Sequence, residues 1–344
     1  MGKTILLYIV SATVLGMGLV DERVRERIVA KKARLDSLRP LPEDAVRKLR
    51  QAVEIEFTYN SNAIEGNTLT LRETQLVIRE GLTIGGKSLR EHLEARNHPK
   101  AIQYIENLAT QELRESDILK IHRIVCSGIL ENAGEYRKSQ VYIEGSDYLP
   151  PPAFEIPDLM KQLLEWLRKN PEELRTVEMA AVFHYKFVSI HPFDDGNGRV
   201  ARLLMNLRLI KHGYPLTVIR NYDRRRYCDT LRKADNGNLK SFTTFIARCV
   251  EQSLDLYLSA IEPTDKTNKL IPLSEAAKKT PYSQEYLSLL ARKGAIAATK
   301  IGKNWHITPE ALNEYLTRIK PKPKKARHQT NQSLQASKQG SIYL

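Results

Sequence analysis

The chain has 344 residues, 42% of them hydrophobic and 27% charged, and a formal net charge of +14. This composition excludes a collagen-like or wholly disordered chain and leaves room for two or three folded domains; the basic excess points to an anionic partner, a nucleotide or a nucleic acid. The three cysteines, Cys126, Cys228 and Cys249, lack C-x-x-C spacing, which argues against a disulfide framework or a zinc site and for a reducing compartment.

Residues 1–20 open the chain, with a nearly unbroken apolar run from residue 4 onward. The run is short for a membrane span of about 20 residues, and no small-x-small cleavage site precedes Asp21. Arg23, Arg25, Arg27, Lys31 and Lys32 follow it, so an anchor here would leave the body facing the cytoplasm. A buried helix or an over-early start codon are the alternatives.

Residues 21–110 read as a helical region. Val46, Leu49, Val53 and Phe57 lie at spacings of three and four after Pro40 and Pro42. This helix is expected to end in Ser61-Asn-Ala-Ile-Glu65-Gly66-Asn67, with Gly66 as a left-handed cap. Glu65 then lies at the negative end of a helix dipole, where a carboxylate needs a compensating cation. Asn62-x-x-Glu65 also fits the capping box of a following helix.

Residues 111–262 carry the densest chemistry. In residues 134–152, β-branched and aromatic residues surround Gly145-Ser146-Asp147, which predicts a β-hairpin; its edge could accept a strand from another protein. Residues 176–190 predict a core helix with Val177, Ala180, Ala181, Phe187 and Val188 apolar, on which His184 reads as a packing residue.

The run His191-Pro-Phe-Asp-Asp-Gly-Asn-Gly-Arg-Val-Ala-Arg202 follows at once. Val200, Leu203, Leu204, Leu207 and Ile210 keep helical spacing, so the run opens an amphipathic helix. A helix N-terminus preceded by Gly196-Asn197-Gly198 presents unpaired backbone N–H groups, and two glycines let that backbone approach a ligand closely, making a phosphate cradle. Arg199 and Arg202, three apart, add bidentate phosphate donors. Asp195 is a hard oxygen ligand suited to Mg²⁺, and His191 is a proton acceptor. A lone GNG turn or a His before Pro means little. Together these groups point to transfer of a nucleotide or phosphoryl group onto a hydroxyl.

The run resembles the signature H-P-F-x-[D/E]-G-N-G-R-x-x-R of the Fic (Fido) family at every fixed position. The resemblance implies an all-α enzyme that moves AMP from ATP to a Ser, Thr or Tyr hydroxyl of a target protein and releases pyrophosphate. It implies His191 as general base, Asp195 as Mg²⁺ ligand and Phe193 as a buried anchor for the loop. By the same resemblance Gly196, Asn197 and Gly198 hold the α- and β-phosphates, and Arg199 and Arg202 reach the β/γ end. Ser61-x-x-x-Glu65-Gly66 resembles the family's inhibitory motif [S/T]-x-x-x-E-[G/N], whose glutamate pairs with the second arginine, here Arg202, and keeps the γ-phosphate from binding productively. Residues 134–152 resemble the family's flap, a clamp for the target segment, with Ile143, Glu144, Gly145 and Ser146 toward the nucleotide. Residues 222–237 resemble the wall of the adenine and ribose pocket, which points to Tyr227, Cys228 and Asp235; related proteins often carry a tyrosine and an asparagine at the last two places.

Residues 262–268 are polar and read as a linker. In residues 270–319, two short helices are expected over 273–277 and 284–293, the second capped by Ser283 and closed by Gly294. A hairpin turning at Gly302-Lys-Asn304 and a last helix from Pro309 complete the segment. It resembles a small winged helix-turn-helix, which would lay its second helix in the major groove of DNA and its wing on the backbone. Gln284, Arg292, Lys300 and Lys303 are the candidate contacts; Glu285 on the same helix would repel phosphate, and protein docking is the alternative. Residues 320–344 are a basic tail expected to be disordered.

The expected fold is all-α: a Fic-type helical core with a β-hairpin flap, plus a small C-terminal winged helix-turn-helix. The expected partners are ATP with Mg²⁺, a protein target at the flap, DNA at the C-terminal segment, and a second copy of the chain. Two other activities fit the same residues. Glu65 could orient a water that hydrolyses AMP–protein linkages, or the core could sense nucleotide for a DNA-binding regulator; intact His191 and Arg199 weigh against the sensor.

Overall fold

The computed structural model describes residues 18–41, 43–143, 147–171, 173–261, 270–301 and 304–318. The larger body is built from α1 (Glu22–Ser37), α2 (Glu43–Ile64), α3 (Leu71–Glu80), α4 (Leu89–Leu108), α5 (Glu115–Val125), α6 (Ile156–Lys169), α7 (Thr176–Ile190), α8 (Asn197–Lys211), α9 (Arg224–Asp235) and α10 (Leu239–Ile261). Helix α7 organises it. From Val177 to Ile190 every residue except Val188 is buried, and a helix without a solvent face belongs at the centre of a bundle. Helix α8 packs along α7 after a short connection, and α6 and α10 close its other sides. The apolar residues expected on α8 face this core: Val200, Leu203 and Leu204 are fully buried.

Helix α1 is fastened to α10 by charge. Arg27 grips both carboxylate oxygens of Glu251 at 2.6 and 2.9 Å, and Lys31 reaches Glu251 at 2.8 Å and Asp255 at 2.7 Å. Just before α1, Leu19 and Val20 are buried in the main core, and the Asp21 amide donates to Thr244 Oγ1 at 3.1 Å. The end of the apolar opening run is thus packed against protein, and residues 1–17 lie outside the described residues. No helix among the described residues is long and apolar enough to cross a membrane.

The sequence left two readings of residues 61–65, and the structure selects one. Residues 61–64 form the last turn of α2, Glu65 follows it, and Gly66 at φ +100° is the left-handed cap. The capping boxes lie elsewhere: Thr70 with Glu73 starts α3, and Ser88 with Glu91 starts α4. Glu91 also accepts from the Thr68 amide at 2.8 Å and the Thr68 hydroxyl at 2.6 Å, which holds its carboxyl down to about 2 and ties the chain after α2 to α4.

The flap corrects one expectation. Among the described residues of 134–152 there is no strand. The two limbs are joined instead by side chains donating to backbone. Arg137, 2% exposed, donates to Ser139 O at 2.7 Å and Pro151 O at 2.5 Å, and Gln140 donates to Pro150 O at 2.9 Å. Pro150, Pro151 and Pro152 have no N–H to give a ladder. Glu144, Gly145 and Ser146, the expected tip, lie outside the described residues, and Ile143 is half-buried.

The smaller unit has its own core around Leu273, Ala276, Leu287 and Ile307. It runs β1 (Ile271–Pro272), α11 (Leu273–Lys278), α12 (Gln284–Lys293), β2 (Ala298–Ile301), β3 (Asn304–Ile307) and α13 (Pro309–Arg318). The sheet order is β1-β3-β2, antiparallel throughout, with Ala298 opposite Ile307 and Ile301 opposite Asn304. Ser283 caps α12 and Gly294 ends it at φ +68°, as the sequence predicts. The linker 262–268, Lys303 and the tail 320–344 lie outside the described residues.

This unit is seated on the body. Arg248 donates to Arg292 O at 3.1 Å and Lys293 O at 2.8 Å, so a guanidinium satisfies the orphan carbonyls at the negative end of α12. Lys300 lies 3.4 Å from Asp223 and 4.1 Å over the Tyr222 ring. The expectation that Lys300 faces DNA is therefore corrected: it faces the body, drawn by a carboxylate and an aromatic face. Gln284 and Arg292 remain exposed on α12, beside Glu285, Tyr286 and Leu289.

Candidate active site

The site is assembled where α7 ends and α8 begins. His191 is the C-cap of α7 at φ +50°, a left-handed conformation that non-glycine residues adopt at a cost and that turns the chain sharply out of the helix. Its carbonyl accepts from Arg137 Nε at 2.8 Å, so the residue that joins the flap limbs also holds the histidine's backbone. Burial pushes the His191 ring down to about 4, against the pull of the Val188 carbonyl toward protonation. The imidazole is neutral at pH 7 and can accept a proton.

The loop 192–196 is anchored from beneath. Phe193 is fully buried, as expected, and stacks on His122 with ring centroids 3.7 Å apart. His122 Nδ1 accepts the Gly134 amide at 2.9 Å, so its other nitrogen carries the proton and donates to Asp195 O at 3.1 Å. Asn197, 2% exposed, closes a reciprocal pair with the Phe193 backbone at 2.8 and 3.0 Å. Its side chain is a staple within the loop. Gly196 sits at φ +80°, where a Cβ would come 2.8 Å from Cys126 Sγ. A Cβ on Gly198 would collide with the Glu65 carboxylate. The two glycines are there for different reasons: one for a turn over a packed cysteine, the other for the close approach of a carboxylate.

Both arginines of the run are buried, Arg199 at 1% and Arg202 at 0% exposure. Arg202 donates to Ser61 Oγ at 3.0 Å, Ser61 O at 2.8 Å and Glu65 Oε1 at 2.7 Å. The cation that Glu65 needs at the end of α2 is Arg202, as the sequence resemblance implies. Arg199 meets Glu94 at 3.0 Å and Asp195 at 3.2 Å, and these two carboxylates hold its guanidinium charged despite burial. Breaking a buried pair of this kind by removing one partner costs about 3–5 kcal/mol. Arg199 Nε and Arg202 Nη1 are buried without a hydrogen-bond partner, and a Cβ on Gly198 would come 3.1 Å from Arg202 Nη1, which puts that donor beside the α8 N-terminus. Such orphaned cationic donors beside free helical N–H groups fit a phosphate chain.

Asp195 fits the metal role. Its carboxyl is kept ionised: burial raises it, but Arg199, the Gly196 amide and Arg90 more than offset that. A single carboxylate is the ligand supply of an ion such as Mg²⁺ that shares the oxygens of a bound phosphate chain.

The three residues expected on the base-binding wall do not act alike. Tyr227 is 4% exposed and its hydroxyl meets His184 Nε2 at 3.0 Å, with Phe242 and Phe245 around the ring. It is core, not an open wall, and this corrects its assignment; His184 is the packing histidine expected. Cys228 is half-buried. Asp235, raised by burial, lies beside the Tyr185 hydroxyl, and flap residue Tyr148 feels its charge. Sequence reasoning missed Glu94, Arg90, Arg137 and His122, all from other elements. Glu94 had one signal: with His98, Ala101 and Ile105 it lies on the buried stripe of α4, where a carboxylate is out of place.

The Fic/DOC family profile matches residues 112–209. The protein adenylyltransferase Fic of Nematostella vectensis is 38% identical over 247 residues, which is 70% of this chain and 57% of that protein. The chain spans little more than half the length of such curated relatives. Among solved structures, a Fic domain containing signaling protein from Bacteroides thetaiotaomicron is 30% identical with a TM-score of 0.65, and the match covers 71% of this chain and 99% of that one. Fic-1 from C. elegans is 31% identical with a TM-score of 0.64, covering 70% and 74%. With the profile match spanning the site loop and the helical fold matched over these lengths, the chain belongs to the Fic/DOC family.

Proposed function

We propose that this chain is a protein adenylyltransferase that moves AMP from ATP to a Ser, Thr or Tyr hydroxyl of a protein, and that Glu65 holds it back. The observation that carries the reading is the convergence, at one helix start, of a neutral buried imidazole, an ionised carboxylate and two buried arginines with unspent donors. His191 takes the proton as the hydroxyl oxygen attacks the α-phosphorus and pyrophosphate leaves. The α8 N-terminus with Gly196 and Gly198 carries the α- and β-phosphates, and Arg199 and Arg202 take the charge beyond them. A magnesium ion on Asp195 would neutralise phosphate charge. The flap, fixed to His191 through Arg137, presents the target. Incubation with ATP labelled at the α- or the γ-phosphate tests the reading: α label on protein is expected, and γ label on protein would make this a kinase-type transfer instead.

A second reading has one observation in its favour. The Glu65 charge acts on the His191 ring, so the same carboxylate could orient a water for hydrolysis of an AMP–protein bond. Wild type, but not Glu65→Gly, would then release AMP from a modified target.

The pH profile follows from His191. The base works when neutral and the neutral form prevails above its pKa, so kcat/KM of the free enzyme should stay level as pH falls and drop only through about 4. A limb near the ordinary imidazole value of about 6.5 would contradict the buried ring.

Binding of the smaller unit to DNA is a lesser proposal. With Lys300 committed to Asp223, duplex DNA is expected to bind only weakly and to be lost steeply as salt rises. In gel shifts Lys300→Ala should leave that binding unchanged; a specific complex abolished by it would contradict the docking.

A further inference from the structure

Two guanidinium groups lean on Asp195. Arg199 Nη2 is 3.2 Å from Oδ1, and Arg90 pairs with Oδ2. Glu94 touches the same two cations: Oε1 lies 3.0 Å from Arg199 Nη1 and 3.3 Å from Arg90 Nε. Its other oxygen accepts from Asn67 Nδ2 at 2.8 Å, which fixes the plane of the carboxylate. Glu94 is 8% exposed at the side chain and Asp195 35%, so one carboxylate is built in and the other faces the open site. Arg199 is too buried for water to screen its charge, and it must settle on whichever carboxylates lie within reach. With Glu94 present, two cations are shared by two carboxylates. Without its charge, the two guanidinium groups already touching Asp195 would rest on that carboxylate alone, and an incoming divalent cation would have to displace a tighter hold.

We propose that Glu94 is a positioning residue that keeps Asp195 available to a metal–nucleotide by drawing Arg90 and Arg199 onto itself. The inference rests on the reading of Asp195 as the ligand of that metal–nucleotide. It also gives the Asn67 side chain a part, since Asn67 holds Oε2 and so turns Oε1 toward the arginines.

The test is calorimetric titration of full-length protein with ATP, in EDTA and at rising Mg²⁺, in a Glu65→Gly background so that the inhibitory carboxylate does not compete. Glu94→Gln can still accept from Asn67 but turns an amide donor toward Arg199. It should bind metal-free ATP at least as well as its parent, because a negative charge has left the site. The Mg²⁺ concentration for half-maximal tightening should rise about 10–100-fold, the usual cost of removing an outer-shell partner. Glu94→Asp, which keeps the charge, should lie between the two. A Mg²⁺ midpoint in Glu94→Gln equal to the parent's overturns the inference. If Glu94→Gln does not fold, Asn67→Ala decides: a raised midpoint supports the inference and an unchanged one overturns it. Failure of the parent itself to bind ATP would instead overturn the reading of the cradle, and this inference with it.

Discussion

His191→Ala is expected to lower AMP transfer by about 10²–10⁴-fold, the range for loss of a general base, while ATP still binds. The separation follows from the architecture. The proposed cradle comprises the α8 N-terminus, Arg199 and Arg202, none of which is held by the imidazole, and the loop is held by Phe193, His122 and Asn197. The backbone turn at residue 191 is fixed through the carbonyl by Arg137, which an alanine preserves. Transfer of α label by the mutant at near wild-type rate, with ATP binding unchanged, would show that the proton leaves by another route.

Glu65→Gly is expected to raise self-modification in Mg²⁺-ATP by roughly 10²-fold, comparable to the effect of one well-placed donor to developing charge. Arg202 spends one Nη2 contact on Glu65 and has its remaining guanidinium donors on Ser61 or unpaired. Removing the carboxylate also opens the space over Gly198, where Glu65 now presses. The fold should tolerate it: Glu65 is 36% exposed at the side chain and follows the last residue of α2. A mutant no more active than wild type in self-modification would sink the inhibitory assignment.

What was legible in the sequence was what is contiguous. The run from His191 to Arg202 places its chemistry by chain geometry alone, and the spacing of apolar residues predicts α7 and α8 closely. Ser61 and Glu65 were legible because a motif resemblance supplied a partner 137 residues away. Three things were not. The β-branched residues of 134–152 suggested strands, but pairing needs free N–H groups in register, and prolines with the Arg137 and Gln140 side chains took that role. Lys300 read as a wing cation because a sequence does not show that Asp223 and Tyr222 lie beneath it. Glu94 is an ordinary helix residue locally; its importance comes only from where α4 meets α8.

A double-mutant cycle on α-label transfer reads whether Glu65 acts through Arg202. Wild type should be slow, Glu65→Gly fast and Arg202→Ala slow, with Glu65→Gly/Arg202→Ala as slow as Arg202→Ala alone, because the freed arginine is what the first substitution supplies. A double mutant as fast as Glu65→Gly would show that Glu65 restrains the enzyme by some means other than its 2.7 Å pairing with Arg202.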